Sequence, residues 1–476
     1  MGFAEGYLQK HAIGQPLIPS APDPDIHSII VLPAYNESGL LTCLDSLFLC
    51  DLPGQAAEVI VMINSGVHSP PEIIDLNRKT HAEVLAWCIA HQRPGLTFHA
   101  VLLENLPKKH FGAGLARKLV MDEAVRRFNR VDHAKGIILS LDADTTVEQN
   151  YLREVTGRFD RNPRVDGCSI RFAHPLEGER ESGGEGERER AGEGESERGG
   201  DQERGGDQES GRARVRGREG DQERGRGRAR ARDNEPYPAA VYEAIVNYEL
   251  HQRYYLEAVR FTGYPYAFHT VGSAFAVRAR AYCRQGGMSK RQAGEDFYFI
   301  QKVAMQGNFS ECNSTTVHPS PRPSDRVPFG TGPAIARQLE TPGAPFLTYA
   351  PQLFRHLHDF YAFIPGFFAT GQTKLNSLPP LLQHYLEATG FLPALAEIRS
   401  NVASEPSFRQ RFYRKFNMFW ILKYLHFAGE QGVHKVEVGE AARELLIMKD
   451  QKAPSVPNLR ELLEIYRKVQ AGPSKK

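Results

Sequence analysis

Residues 137–146 read IILSLDADTT, and no other stretch constrains the chain as tightly. Ile137, Ile138, Leu139 and Leu141 form a short run of β-formers, the pattern of a buried strand, and the run turns polar where it delivers Asp142 and Asp144. Alternate residues of an extended segment point the same way, so these two carboxylates can face one point in space. Two negative charges that close raise one another's pKa and repel unless a cation lies between them, and a divalent ion is the usual occupant. The stretch therefore reads as a metal site at the end of a central strand. Asp-x-Asp triplets also arise by chance, as at Asp23-Pro24-Asp25. An Asp can equally cap the helix that residues 147–159 suggest, so the neighbouring motifs decide.

Those motifs recur in a fixed alternation. Residues 28–37, SIIVLPAYNE, read as an apolar strand running into a Pro-containing turn, then a helix through Leu40, Leu41, Leu44 and Leu47. A second buried strand over 58–63 ends in Asn64-Ser65-Gly66, and 99–103 predicts a third. Between Phe111 and Arg130 a Gly-opened helix places Leu115, Leu119, Val120 and Phe128 at helical spacing. Further strands are expected over 168–172, over 270–277 with Gly272 and Ser273 inside it, and over 308–317, which ends in Val317-His318. Helices are expected over 239–259 and 297–305, the latter opened by Gly294-Glu295-Asp296. Strands alternating with helices imply right-handed βαβ units and a mostly parallel sheet. Ligands in such sheets sit beyond the carboxyl ends of the strands, where Asn36, Asn64 and Asp144 fall.

A chain of 476 residues has room for two or three units, and a net charge of +2 gives it no global attraction to nucleic acid or acidic membranes. We divide it into a Pro-rich lead-in (1–27), an α/β domain (28–334) and a helical, aromatic C-terminal region (335–476). Within the domain, residues 177–233 shift abruptly to Glu, Arg, Gly, Gln and Ser, with GDQE recurring at 200, 206 and 220. Almost nothing there can enter a core, so the segment reads as a disordered, solvated insertion, with its Arg-rich end as an electrostatic tether to RNA or acidic partners as the other reading. Six scattered cysteines without metal-finger spacing suit reduced thiols. No run of about 18 apolar residues predicts a spanning helix, and residues 1–20 lack a signal-peptide core. These point to a cytoplasmic protein, with peripheral contact at the inner membrane face left open. Residues 407–427 read as one helix with Phe408, Phe412, Phe416, Phe419 and Trp420 at helical spacing, either a core-facing stripe or a helix lying on a membrane surface. The tyrosines at 242, 248, 254 and 255 suit half-buried packing, and equally stacking on a sugar ring.

The ordered succession of a strand plus PAYNE, Gly-Leu-Ala-Arg-Lys at 114–118, a strand ending in DAD, a glycine strand followed by GED, and a closing strand ending in His resembles the family 2 glycosyltransferases, specifically their soluble bacterial members. The resemblance covers about residues 28–320 outside the insertion. It implies a GT-A fold, a Rossmann-like and mostly parallel α/β sheet flanked by helices. It also implies transfer of a sugar from a UDP- or GDP-linked donor to an acceptor hydroxyl, with Mn2+ or Mg2+ bridging the diphosphate. By position, Pro33, Ala34, Tyr35 and Glu37 resemble the nucleotide-binding turn, and Gly114 and Arg117 the wall around the nucleoside. Asp142 and Asp144 resemble the ribose and metal contacts, Asp296 beside Glu295 the catalytic base, and His318 a third metal ligand. Where the family's second strand usually ends in an acidic residue that reads the base, this chain has Asn64-Ser65.

Chemistry agrees with those assignments. A hard cation on oxygen ligands stabilises charge developing on a leaving diphosphate, and Asp296 within reach of an acceptor hydroxyl can take its proton in an inverting displacement. Arg322 and Arg326, on the Pro- and Arg-rich loop after His318, can fold over the diphosphate with bidentate contacts. Alternative readings are a retaining enzyme resembling glucosyl-phosphoglycerate synthases, and a catalytically silent scaffold that binds partners through the insertion and C-terminal helices.

Overall fold

The apolar runs that lack alternation form the centre of a sheet buried on both faces. Its eight strands are β1 (Ile26–Ala34), β2 (Ala56–Gly66), β3 (Leu96–Leu106), β4 (Ile137–Ser140), β5 (Thr145–Val147), β6 (Gly167–Phe172), β7 (Phe275–Arg278) and β8 (Phe309–Pro319). The computed structural model describes residues 2–37, 39–176, 237–371 and 377–472, all within one compact unit, and the insertion expected over 177–233 lies outside the described residues. Across the sheet the order is β3-β2-β1-β4-β7-β6-β8-β5. The first four run parallel, β7 is antiparallel to both neighbours, β8 is parallel to β6, and β5 closes the edge antiparallel to β8. This is the mostly parallel α/β architecture that the resemblance implies, followed by the helical C-terminal region that the sequence pattern predicts.

Alternate residues of one strand feed two different cores. Ile30, Leu32, Val59, Val61, Ile137 and Leu139 enter the core on one face, beneath α2 (Leu40–Phe48), α3 (Pro71–Ala90) and α5 (Tyr151–Arg161). Ile29, Val31, Ile60, Met62 and Ile138 enter the other, beneath α1 (Glu5–Lys10), α4 (Ala113–Arg130), α7 (Ala279–Arg284) and α8 (Glu295–Ala304). The lead-in straps across α4: Tyr7 donates its hydroxyl to Asp122 Oδ1 at 2.6 Å, and the Ile13 and Leu17 amides donate to Asp122 and Glu123, each at 2.9 Å. These α4 carboxylates are buried, and the strap supplies the partners that burial demands.

The strand expected from Thr270 begins only at Phe275. The Gly272 carbonyl is taken by the Arg117 guanidinium at 3.1 Å and the Ser140 hydroxyl at 2.8 Å, so this backbone serves the cleft instead of a ladder.

A third core joins α6 (Ala239–Phe261) to α9 (Thr331–Glu340), α10 (Pro351–Thr370), α11 (Pro380–Ala388), α12 (Phe391–Ser400), α13 (Glu405–Lys415), α14 (Met418–Glu430), α15 (Val438–Met448) and α16 (Leu459–Ala471). The single helix expected over 407–427 is two, because Phe416 leaves helical geometry with ψ 72° and Asn417 caps α14 by accepting from the Phe419 amide. Phe408, Phe412 and Phe416 are wholly buried, so this aromatic stripe faces the core. Among the described residues no helix is long and apolar enough to cross a membrane.

Glu249 of α6 lies at the seam between the sheet and this helical region. It accepts from Arg253 Nε at 2.7 Å, from Arg467 Nε and Nη2 at 2.8 Å, and from the His174 amide and ring at 2.9 Å. Helix α16 is thereby fastened to α6 and to the chain leaving β6.

Candidate active site

At the carboxyl end of β1 the chain turns sharply through Tyr35, Asn36 and Glu37. Asn36 adopts φ 56°, left-handed backbone that Asn tolerates better than most residues. A polar clamp holds the turn. The Asn64 amide donates to the Ala34 carbonyl and the Asn77 amide to the Asn64 carbonyl, both at 2.8 Å, while Asn77 accepts from the Asn36 amide at 3.0 Å. Pro33, Ala34, Tyr35, Glu37 and Asn64 line a cleft of about 980 Å3, but the side chain of Asn64 is spent on fixing the turn.

Asp142 and Asp144 line the same cleft and turn to different guanidiniums. Arg117, buried on α4, donates from Nη2 to Asp142 Oδ1 at 2.8 Å, from Nη1 to the Ser140 hydroxyl at 2.7 Å, and from Nε to Glu295 Oε1 at 3.2 Å. Burial works against the Arg117 charge, but the Asp142 and Glu295 carboxylates outweigh it and raise its pKa. On the other side, Arg322 Nη2 donates to Glu37 Oε2 at 2.7 Å and to Asp144 Oδ2 at 3.4 Å. Arg326 donates from Nη1 to the Tyr35 carbonyl at 2.8 Å and also to Glu37, and its Nη2 stands 3.7 Å from Asp144 Oδ2. Burial, then the nearby Glu37 charge, pushes Asp144 up to about 7 against the pull of the two arginines. The loop after β8 thus lies over the ends of β1 and β4.

Asp296 stands in the first turn of α8, whose N-terminus is set by Gly294 in left-handed backbone at φ 70°. Its Oδ1 accepts from the Phe297 amide at 2.7 Å. Burial, then Glu295, pushes it up to about 7, with Arg117 opposing. A side chain at Gly272 would stand 2.7 Å from Arg117 Nη2 and 3.1 Å from Asp296 Oδ2, so glycine leaves these two groups their space. Arg117 therefore ties the DAD strand, through Asp142, to helix α8, through Glu295.

The structure gathers Glu37, Arg117, Asp142, Asp144, Glu295, Asp296, Arg322 and Arg326 around one cleft. His318 is not among the lining residues. It pairs with Thr146 in the β5–β8 ladder, and its Nδ1 lies 3.0 Å from the Ala173 carbonyl oxygen. Among the described residues no three His, Cys, Asp or Glu side chains stand in metal-holding geometry, so Asp142, Asp144 and His318 are not brought together as one ligand set. Gly114 is also absent from the wall. A Cβ there would overlap the Arg291 carbonyl oxygen and lie 2.9 Å from that of Ser289, so this glycine permits a close approach of α4 to the 289–291 loop. Gly114→Ala is expected to destabilise the fold by about 1–3 kcal/mol, read as a shifted denaturant midpoint, since backbone cannot step aside as a side chain can. The sequence signs gave Ser140, Phe111 and Asn77 no role at the cleft. Phe111 sets its ring edge against Tyr35 at 5.4 Å, and an aromatic directly before the Gly-opened helix is the one sign that pointed to it.

No protein-family model matches the chain, and no curated protein matches it. Among solved structures, residues 1–349 of S. aureus TarS in complex with UDP-GlcNAc are similar at 11% identity and a TM-score of 0.35, covering 79% of this chain and 87% of that one. A mannosyltransferase, PcManGT from Pyrobaculum calidifontis in complex with GDP-Man and Mn2+, is similar at 17% identity and a TM-score of 0.31, covering 90% and 92%. GalNAc-T7 with UDP, GalNAc and Mn2+ is similar at 12% identity and a TM-score of 0.32, covering 77% of this chain and 54% of that one.

Proposed function

We propose that the chain is a glycosyltransferase that moves a sugar from a nucleoside-diphosphate donor to an acceptor hydroxyl with inversion, using Asp296 as the base. The observation that carries this reading is the pair Arg322 and Arg326, held on Glu37 and Asp144 beyond the carboxyl ends of parallel strands, with a buried carboxyl poised near neutrality in the same cleft. Guanidiniums in that position suit the oxygens of a diphosphate. The PAYNE turn and Asn64 clamp shape the nucleoside end.

In the displacement, the acceptor oxygen forms its bond to the anomeric carbon while the bond from that carbon to the diphosphate oxygen breaks. The bonding pair leaves with the diphosphate, and the hydroxyl proton passes to Asp296, whose Oδ2 is the oxygen not engaged by the Phe297 amide. Arg322 and Arg326 receive the charge that leaves. Arg117 holds Asp142 and the α8 helix in register, so donor and base are set by one buried side chain.

The donor set suits a hard cation at one place. Glu37 and Asp144 are carboxylates close enough for one to raise the other's pKa, and guanidiniums already answer that need for positive charge. Mn2+ or Mg2+ would be held by Asp144 and Glu37 and would supply Lewis-acid stabilisation to the leaving diphosphate. Asp142 has an oxygen on Arg117, and His318 lies outside the cleft lining.

Calorimetric titration of UDP, GDP and their sugars, with and without Mn2+, tests the reading on wild type, Asp144→Ala and Arg326→Ala. We expect one nucleotide to bind in a metal-dependent manner and each variant to weaken it about 10- to 100-fold, the usual worth of a hydrogen bond to a charged group. Absence of binding by every nucleotide to the folded, metal-supplied protein would overturn the donor site.

A further inference from the structure

Away from the diphosphate end, the cleft changes character. Every carboxylate that lines it, namely Glu37, Asp142, Asp144, Glu295 and Asp296, belongs to the donor end or the base. The opposite wall comes from α6 and the helical region and is aromatic. Tyr248 lies close enough to Asp296 for that charge to reinforce what burial does to its phenol, pushing it up to about 12. From Tyr248 the wall continues to Phe346, with ring centroids 6.2 Å apart, and to His251, 5.4 Å from Phe346. His251 hydrogen-bonds the Thr348 hydroxyl at 2.8 Å, and burial, then Lys435, lowers it to about 4, so this imidazole is neutral at pH 7. Tyr349 follows, and Lys435 Nζ stands 5.2 Å above its ring.

The wall therefore runs from the base to a cation, and a second cation lines it. Arg337 is felt by Tyr248, donates from Nε to the Pro333 carbonyl at 3.2 Å, and is exposed like Lys435. Among the described residues neither side chain is in an ion pair. An aromatic wall offers faces to the C–H side of a sugar ring, and a neutral imidazole suits its hydroxyl groups. Two cations line the cleft here, and every carboxylate lining it is at the donor end or is Asp296 or its neighbour Glu295, so the wall favours a ligand that brings its own negative charge.

We infer that the acceptor is an acidic saccharide, a sugar carrying a carboxylate or a phosphate, seated on the Tyr248–Phe346–Tyr349 wall with its acid group toward Lys435 and Arg337. This rests on the glycosyl-transfer reading and names the substrate class of its second half. The acceptor hydroxyl then faces Asp296 and the acid lies at the far end of the wall, so the charge orients the ring without approaching the base.

Glucuronate, glucose 6-phosphate, methyl glucoside and inorganic phosphate serve as probes, titrated into wild type and into the Lys435→Ala, Arg337→Ala double variant. Both replaced residues are exposed, so the variant retains its core. One of the two acids is expected to bind about tenfold or more tighter than methyl glucoside, and the double variant to abolish that preference. Which acid wins separates a carboxylate-bearing from a phosphate-bearing acceptor. Equal binding of neutral and acidic sugars, no binding of either acid, or a preference that survives in the double variant overturns the inference. Inorganic phosphate binding as tightly as glucose 6-phosphate also overturns it, since the aromatic wall then contributes nothing. Nucleotide titrations on the same proteins keep the two readings apart. Nucleotide binding without acid preference removes only the acceptor class, whereas acid preference without nucleotide binding leaves a saccharide-binding cleft and removes the transferase.

Discussion

Asp296→Asn is expected to lower kcat by about 10²- to 10⁴-fold, the usual contribution of a positioned general base. The amide keeps the shape of the carboxyl and the contact to the Phe297 amide through its oxygen, so folding is spared and the proton acceptor is lost. The pH dependence has a definite sign. Burial and Glu295 hold Asp296 near 7, and the base works only when ionised. The wild-type rate should therefore rise through about pH 7 and fall roughly tenfold per unit below it, a limb that the Asn variant lacks. Product formation followed from pH 5 to 9 measures both. An Asn variant within a few-fold of wild type would remove Asp296 from the chemistry and favour a retaining mechanism, in which the donor itself assists.

The second large effect is on stability. Glu249→Ala removes the carboxylate that the buried Arg253 and Arg467 share, Arg467 keeping Glu464, and breaking a buried ion cluster by removing one partner costs about 3–5 kcal/mol. Urea unfolding monitored by tryptophan fluorescence measures it, and a midpoint unchanged from wild type would show that the cluster contributes specificity alone. Burial by itself would push Glu249 up, but Arg253, Arg467 and His174 outweigh it and hold the carboxyl well below its usual range. Its stabilisation is thus present above the unfolded carboxylate pKa, near 4.3, and fades as pH falls through the lowered native value. Asp144 and Asp296 act in the opposite sense. Each is held near 7, so what they contribute is complete below about pH 4 and is lost as pH rises through 7. The seam strengthens with pH while the cleft weakens, and any ligand that binds only the folded form would offset the weakening.

Much of this arrangement was legible along the chain. The runs at 29–32, 59–63 and 137–139 announced buried strands because both faces of the sheet are covered, and such strands carry no alternation to misread. Asn64 and Asp144 followed from where those strands end, whereas Arg117, Glu295 and Asp296 came by position from the resemblance. What local pattern could not show was partnership. Asp142 and Asp144 suggested one shared ion, yet each meets an arginine from a distant segment, Arg117 at a separation of 25 and Arg322 at 178 residues. Helix α3 was missed since few of its side chains are buried: Asn77, Thr80, Val84 and Trp87. The break at Phe416 escaped notice because the aromatic spacing continues across it, and spacing carries no record of a cap. Nothing within a window of sequence joins Glu249 to Arg467, which are 218 residues apart.

That separation also sets an order of events. The sheet from β1 to β4 is assembled from neighbouring segments, so it can consolidate while the rest of the chain is still unmade. Helix α6 cannot follow at once. Its carboxylate sits between apolar surfaces and has Arg253 beside it, but the guanidinium that completes the cluster arrives on α16. Until then, docking α6 would bury an incompletely compensated ion, and water is the better solvent for it. Tyr248 and His251, the part of the aromatic wall that α6 carries, are therefore late products of folding, and that side of the cleft comes into being only when the chain has closed on itself.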